Sequence, residues 1–447
     1  MSAGNKYGLL FLAVCVLLLF CGLGYYFFGP IAPVRFRAVG GSMAPFVMGP
    51  HSQSVCPECR FSFSVGVDTS VDLNERICPN CGNRFSVSGA ISILPGDPIR
   101  LLPYSKTRGP RRWDAIMLKT PQPPGSVTLK RIVGLPGERL VIRRGDIFIN
   151  GRVVSKNLQQ RREMAMLVHD NGHTPSEPGQ PTPWEPQNPH TDWKRQQGKW
   201  CYRAVPDSPV LQNPLADSVR EKPDWLVFQS YDGSLLTGRR FVESGMDDYF
   251  SYNQGISFRR HWVSDMWLRC QVAMLGTGSL RLRADNGQVQ LEASLEPDQG
   301  RMELNITSGH PEAKVSAVHA DLQSLRSDFV IEVGFCDGQG FVSVADQELV
   351  IPLPSQAGVF QPQSRPFAVA TKQMELTIHS LKVFRDVYYL TPNGSNQDWS
   401  PERPLAGDEY LLLGDNAQVS IDSRHWKMSP HSDRKSLLGK AENRNKN

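Results

Sequence analysis

The sequence predicts a mainly β protein with an N-terminal membrane helix, and three observations carry this. Residues 7–28, "YGLLFLAVCVLLLFCGLGYYFF", hold no charge. Beyond them, short apolar runs with period-two alternation are cut by Gly, Pro and Asp, as in "RLVIRRGDIFINGRVV" and "SLRLRADNGQVQLEASL"; this is the pattern of half-buried strands joined by tight turns. Two Cys-x-x-Cys pairs mark a small separate module at 56–81.

At 447 residues the chain exceeds one ordinary core, so two or more domains are expected. Its composition, 40% hydrophobic and 21% charged, is that of a globular protein. The net charge of +5 is small for this length and gives no reason to expect a nucleic-acid partner. A helix over 7–28 would cross a hydrocarbon core of roughly 30 Å. No Ala-x-Ala site follows the run, which argues for an uncleaved anchor over a signal peptide. Lys6 lies before the helix, Arg35 and Arg37 after it, so the charge bias leans slightly against an exported C-terminal portion.

The expected order is a short flank (1–6), the anchor (7–28), an extended segment (29–55), the cysteine module (56–85) and a β-patterned stretch (86–155). "NG" at 150–151 is a hairpin signal. Residues 156–170 read as briefly helical. Within 156–224, Pro-rich 173–200 has linker composition, although Trp184, Trp193 and Trp200 suggest that part of it packs on a surface. Residues 225–390 read as an all-β sandwich, and 391–447 close the chain.

"CPEC" and "CPNC" bring Cys56, Cys59, Cys78 and Cys81 into zinc-ribbon spacing, since four thiolates from two knuckles suit tetrahedral Zn²⁺. Two disulfides or a redox pair are the other readings, and an oxidising compartment would favour the disulfides. The remaining cysteines are scattered and read as buried thiols or anchor residues.

"GGSMAP" places Ser42 shortly after the anchor. A serine nucleophile needs a base. The chain has 10 histidines but no G-x-S-x-G elbow. A desolvated lysine is the other option, because burial lowers its pKa. Lys130, in "SVTLKRIVGLPGE", sits in a strand pattern that can aim it inward, with Arg131 pointing the other way. Taken alone, such a lysine is more often a solvated-face residue.

"GGSMAP", "LKRIVGLPGE" with "GDIFINGRVV", and "LLLGDNAQVSIDSRHW" resemble, in order, three signature blocks of the type I signal peptidase family. "WDAIMLKTP" and "LLGKA" resemble its flanking strands. The resemblance implies a membrane-anchored Ser-Lys serine protease that removes signal sequences from exported preproteins. It also implies a signal-peptidase-like β core, into which this sequence inserts the zinc ribbon and the β-sandwich (jelly-roll-like) read above. By position it makes Ser42 the nucleophile and Lys130 the general base. Met43 and Pro45 would shape the strand presenting Ser42. Ser420 would hydrogen-bond the lysine. Asp422 and Arg424 would form a buttressing charged pair, whose plainer reading is a surface ion pair worth little. Gly414, Asp415 and Asn416 would form the turn before them. The implied location is the cell membrane, single-pass, with the catalytic part on the exported side, and no cofactor is needed for catalysis.

The chain departs from the family pattern in places. Gly40 stands where some relatives carry a hydroxyl, so a second oxyanion donor must be backbone or water. Glu138 stands where Asp is common. The second insertion is far larger than a usual cap, and 225–390 resembles a concanavalin- or laminin-G-like sandwich. It is open to a glycan or protein ligand, to covering the site, or to serving as a structural appendage. Two other readings of the whole remain: a repressor-like self-cleaving Ser-Lys protease, and an anchored binding protein with a decayed peptidase core.

Overall fold

Alternating apolar residues between turn formers yield antiparallel sheets throughout. The computed structural model describes residues 34–443, apart from 68–73, 105–108, 121–125, 175–181, 190, 204–222, 232–241, 255, 257–258, 309–315, 323–327, 355–359, 373 and 427–431. The expected anchor at 7–28 lies outside the described residues. Among those residues no helix is long and apolar enough to cross a membrane.

The first unit is a seven-stranded sheet in the order Val34–Arg37, Pro98–Pro103, Leu437–Asn443, Ala115–Lys119, Val127–Gly134, Glu409–Leu413, Ser432–Asp433. Its outer strands come from both ends of the chain, so everything between 155 and 406 is inserted into one sheet. Beside it lies a meander of Leu140–Arg143, Asp146–Ile149 and Arg152–Val153. Asn150 and Gly151 have φ of 50° and 83° and join strands paired at Ile149 and Arg152. Positive φ at both loop positions is the two-residue hairpin that "NG" predicts.

The cysteine module has two parts. His51–Val55 pairs with Ser62–Gly66 and Ile93–Leu94, while Glu75–Ile77 pairs with Arg84–Ser86. Each Cys-x-x-Cys turn sits at the tip of one of these hairpins.

The large insert is two facing antiparallel sheets. One has eight strands, with Glu375–Arg385 and Met266–Leu275 at its centre. The other has seven, including Ser279–Asp285 and Val289–Glu296. Those two strands alternate buried and half-buried residues along their length. The buried sets of both sheets meet in one core that includes Leu282, Leu291, Val333 and Val383.

This insert begins earlier than the sequence predicts. Residues 156–224 are not a linker where they are described. Leu158–Met164 is helical, capped by Asn157, whose side chain accepts from Gln160 N while Gln160 answers. Met166–Asp170 and Lys199–Tyr202 both pair with Glu375–Arg385, and Trp184–Pro186 joins the other sheet. The prolines keep these strands short. Trp184, Trp193 and Trp200, all buried, anchor them in the sandwich core.

The sandwich returns to the first, seven-stranded sheet through residues 386–390. Val387 and Tyr389 pack in the same core as Trp113, Val133, Leu140 and Leu413. The joint also holds a buried ion cluster: Lys156 Nζ lies 2.6 Å from Asp337 and 2.7 Å from Asp386.

Candidate active site

Ser42 sits on a turn, not on a strand as the sequence predicts. Residues 41–47 fold back on themselves, with Ala44 N donating to Gly41 O and Val47 N to Met43 O. Two glycines and Pro45 favour this chain reversal. Met43 is buried in the cluster of Ile99, Leu101, Met117 and Leu129, while Ser42 stays half-buried. The buried methionine thus pins the turn, and the hydroxyl is left at its rim.

Lys130 projects from Val127–Gly134, a strand buried along six consecutive residues. Its side chain is 2% exposed and its Nζ lies 2.9 Å from Ser42 Oγ. Burial pulls the lysine down to about 8; the nearby Asp422 partly opposes this and Arg424 adds to it. An amine in this state is a usable base near neutral pH.

The last block closes the site. Asp422 and Arg424 are fully buried and meet through two contacts of 2.8 and 2.7 Å, so they are not the surface pair that the plainer reading gives. Burial works against the Asp422 charge, but Arg424, and then His425, outweigh it and hold the carboxyl well below the usual range. Asp422 also accepts from Gly414 N at 3.1 Å. Arg424 donates onward to Leu390 O, at the end of the sandwich return.

Asn416 holds the Ser42 turn directly: its backbone N–H donates to Ser42 O and its Nδ2 to Gly41 O, both at 3.1 Å. A Cβ on Gly414 would fall 2.2 Å from Ser420 Oγ and 2.5 Å from Ser42 O, so only glycine permits this approach. Asp415 faces the other way and takes a bidentate pair from Arg131. Arg131 does point away from the dyad, as alternation predicts, but into a covered face. Glu138 Oε2 closes the "LPGE" turn by accepting from Leu135 N at 2.7 Å.

One expectation is not met. Ser420 Oγ is buried beside Gly414 and, among the described residues, makes no hydrogen bond to Lys130 or to any other residue. The lysine Nζ is directed at Ser42 instead.

The four cysteines converge as their spacing predicts. Cys56 and Cys81 Sγ are 3.7 Å apart, Cys59 and Cys78 Sγ 3.6 Å. Disulfides would need about 2.05 Å, and all four thiols are free. A tetrahedral Zn²⁺ with Zn–S of about 2.3 Å has S–S edges of about 3.8 Å, close to those observed. The ligand atoms lie within 4.8 Å of one another, so the set could hold a metal ion.

Residues 85–206 match the family described as signal peptidase, peptidase S26. The match supports the signal peptidase family for this stretch of the chain. The matched stretch contains Lys130 and the first strands of the sandwich; Ser42 and the closing block lie outside it. At family level this supports a signal-peptidase-type serine peptidase. No curated protein matches the sequence.

Among solved structures, the laminarinase catalytic domain of Thermotoga maritima is 8% identical, covering 50% of this chain and 98% of its own, with a TM-score of 0.29. The carbohydrate binding module CBM66 of Bacillus subtilis is 10% identical, covering 46% and 93%, with a TM-score of 0.23. Galectin LEC-6 of Caenorhabditis elegans is 14% identical, covering 27% and 83%, with a TM-score of 0.21. Overlaps at these scores carry no argument about this chain.

The sequence reading missed residues 248–254. They enter the site from the sandwich insert and carry no motif or periodicity that would mark them.

Proposed function

We propose that this chain is a membrane-anchored serine endopeptidase that removes signal sequences from exported preproteins by a Ser42–Lys130 dyad. The observation that carries the reading is the 2.9 Å approach of a buried lysine amine to the half-buried Ser42 hydroxyl.

Neutral Lys130 takes the proton as Ser42 Oγ attacks the scissile carbonyl, and returns it to the leaving amine. The Ser42 backbone N–H is the donor assigned to the oxyanion. Asp422 and Arg424 set the field around the amine and hold the last block in place. An extended substrate adding along a strand edge would offer alternate side chains to small pockets. The uncharged run at 7–28 is the proposed single-span anchor, with the catalytic part on the exported side. Tethering enzyme and signal sequence to one bilayer raises their effective concentration.

Zinc is the ion assigned to Cys56, Cys59, Cys78 and Cys81, with a structural role; when bound, it would lock the two knuckles together. Asn83 Nδ2, 3.9 Å from Cys56 Sγ, would support the thiolate charge. The sandwich, jelly-roll-like in this reading, serves the site as a structural appendage.

The test is incubation of the full chain in detergent with a radiolabelled preprotein, followed by N-terminal sequencing of the product. The expected cut follows a small residue at the signal-sequence boundary. Intact preprotein, or cuts scattered elsewhere, would count against the proposal.

A further inference from the structure

The segment that enters from the sandwich seats the nucleophile turn. Asp248 and His261 form the base of an arch: Asp248 N donates to His261 O at 2.9 Å, and His261 N donates back to Asp248 Oδ1 at 2.9 Å. Arg385 Nη2, on the central sandwich strand, donates to Asp248 O at 2.9 Å. At the arch tip, Ser251–Asn253 form a short 3₁₀ turn.

Three consecutive tip residues reach three different neighbours. Tyr252, 3% exposed, lies so close to Gly41 and Gly66 that a Cβ on either would meet its ring at 2.3 and 2.4 Å. Gln254 Nε2 donates to Ile77 O at 3.4 Å, next to the second cysteine knuckle. Asn253 and Asn416 exchange amide hydrogen bonds of 2.7 and 2.8 Å, with both side chains at least nine-tenths buried.

The donor count fixes this arrangement. Asn416 Nδ2 has two hydrogens, and they go to Gly41 O and Asn253 Oδ1. Asn253 Nδ2 has two, and they go to Asn416 Oδ1 and Gln418 Oε1. Turning the Asn416 amide over would set its oxygen against Gly41 O, acceptor to acceptor. Asn253 holds the amide the right way round, and Asn416 in turn holds Gly41 and Ser42. A misplacement of about 1 Å at a reacting group costs on the order of 10²-fold in rate.

We propose that Asn253 is a positioning residue for Ser42, acting through Asn416, so that the sandwich insert completes the seat of the nucleophile. This rests on the reading of Ser42 and Lys130 given above.

The test is a double-mutant cycle in the full chain with Asn253→Ala, Asn416→Ala and the pair. Preprotein cleavage and thermal unfolding are both followed. Asn253→Ala is expected to lower kcat about 10- to 100-fold with KM within about twofold, in a chain whose unfolding midpoint falls but stays well above the assay temperature. The pair is expected to be no worse than Asn416→Ala alone. Asn253→Ala at wild-type kcat, or losses that multiply in the pair, would overturn the proposal. So would a kcat loss that only tracks a fall in the midpoint.

A second measurement reads the same geometry without turnover. In a Ser42→Cys chain, the rate of iodoacetamide capture at position 42 is followed by peptide mass spectrometry, with and without Asn253→Ala. A change of about fivefold or more is expected, and equal rates would overturn the proposal. If the wild type cleaves no preprotein but this rate still responds to Asn253, the peptidase reading fails and the positioning role stands.

Discussion

Arg131 and Asp415 form a bidentate ion pair at 2.6 and 2.5 Å with both side chains 1% exposed. Each is the sequence neighbour of a residue that holds the site: Lys130 on one side, Gly414 and Asn416 on the other. The pair therefore sets the register between the strand carrying Lys130 and the block that clamps the Ser42 turn. Arg131 also donates to Trp113 O and lies 4.9 Å over the ring of Phe46, in the turn that carries Ser42.

Removing one member of such a pair leaves a buried, uncompensated charge. Arg131→Ala is expected to cost about 3–5 kcal/mol in denaturant unfolding. Arg131→Lys is expected to restore little of it, because an ammonium cannot reproduce the two-pronged contact. Full stability in Arg131→Ala would remove the pair from the account.

The pH dependence follows from Lys130. Burial lowers its pKa to about 8, and only the neutral amine can accept the Ser42 proton. The value of kcat/KM should therefore rise with pH and level off above an apparent pKa near 8. A profile over about pH 6 to 10 checks this. A rate that falls across that range, or a flat one, would contradict a lysine base.

The cysteine module should carry one zinc ion per chain, measured by metal analysis, and Cys59→Ser should lose it. Ile77 beside Cys78 takes the Gln254 hydrogen bond, so metal loss should raise hydrogen exchange in residues 250–254. Full protection there after chelation would break the proposed link between knuckle and arch.

At the joint, Lys156 bridges Asp337 and Asp386 with every partner buried. Lys156→Ala is expected to cost about 3–5 kcal/mol by the same argument as for Arg131. The neighbouring Asp265 is pushed up to about 7 by burial, then by Asp337 and Asp386. A carboxyl raised in the fold is stabilising below its unfolded value of about 3.9, and this contribution is lost as pH rises through 7. Proteolysis of the joint should thus be slower near pH 5 than near pH 8, measured as nicking around residue 386.

Much of the site was legible because its residues travel in blocks. Ser42, Lys130, Asn416, Asp422 and Arg424 sit in short stretches whose order signals a shared chemistry, and the cysteine spacing is its own motif. What the sequence could not show was which faces are covered. Alternation turns Arg131 away from Lys130, but only the fold reveals Asp415 waiting there. The strands around Trp184 and Trp200 are three and four residues long among prolines, so local pattern favours a linker and burial of the tryptophans decides otherwise. Asn253 is 163 residues from Asn416, and no local periodicity encodes such a contact. Ser420 shows the converse, since its block is recognisable while the bond expected of it is not formed.

The most direct measurement is kcat/KM on a preprotein for four folded chains: wild type, Ser42→Ala, Lys130→Ala and the double variant. Groups that act as one unit lose their function together. Each single variant should fall by at least about 10³-fold, and the double should fall no further. Wild-type rates in either single variant, or losses that multiply in the double, would contradict a shared Ser42–Lys130 mechanism.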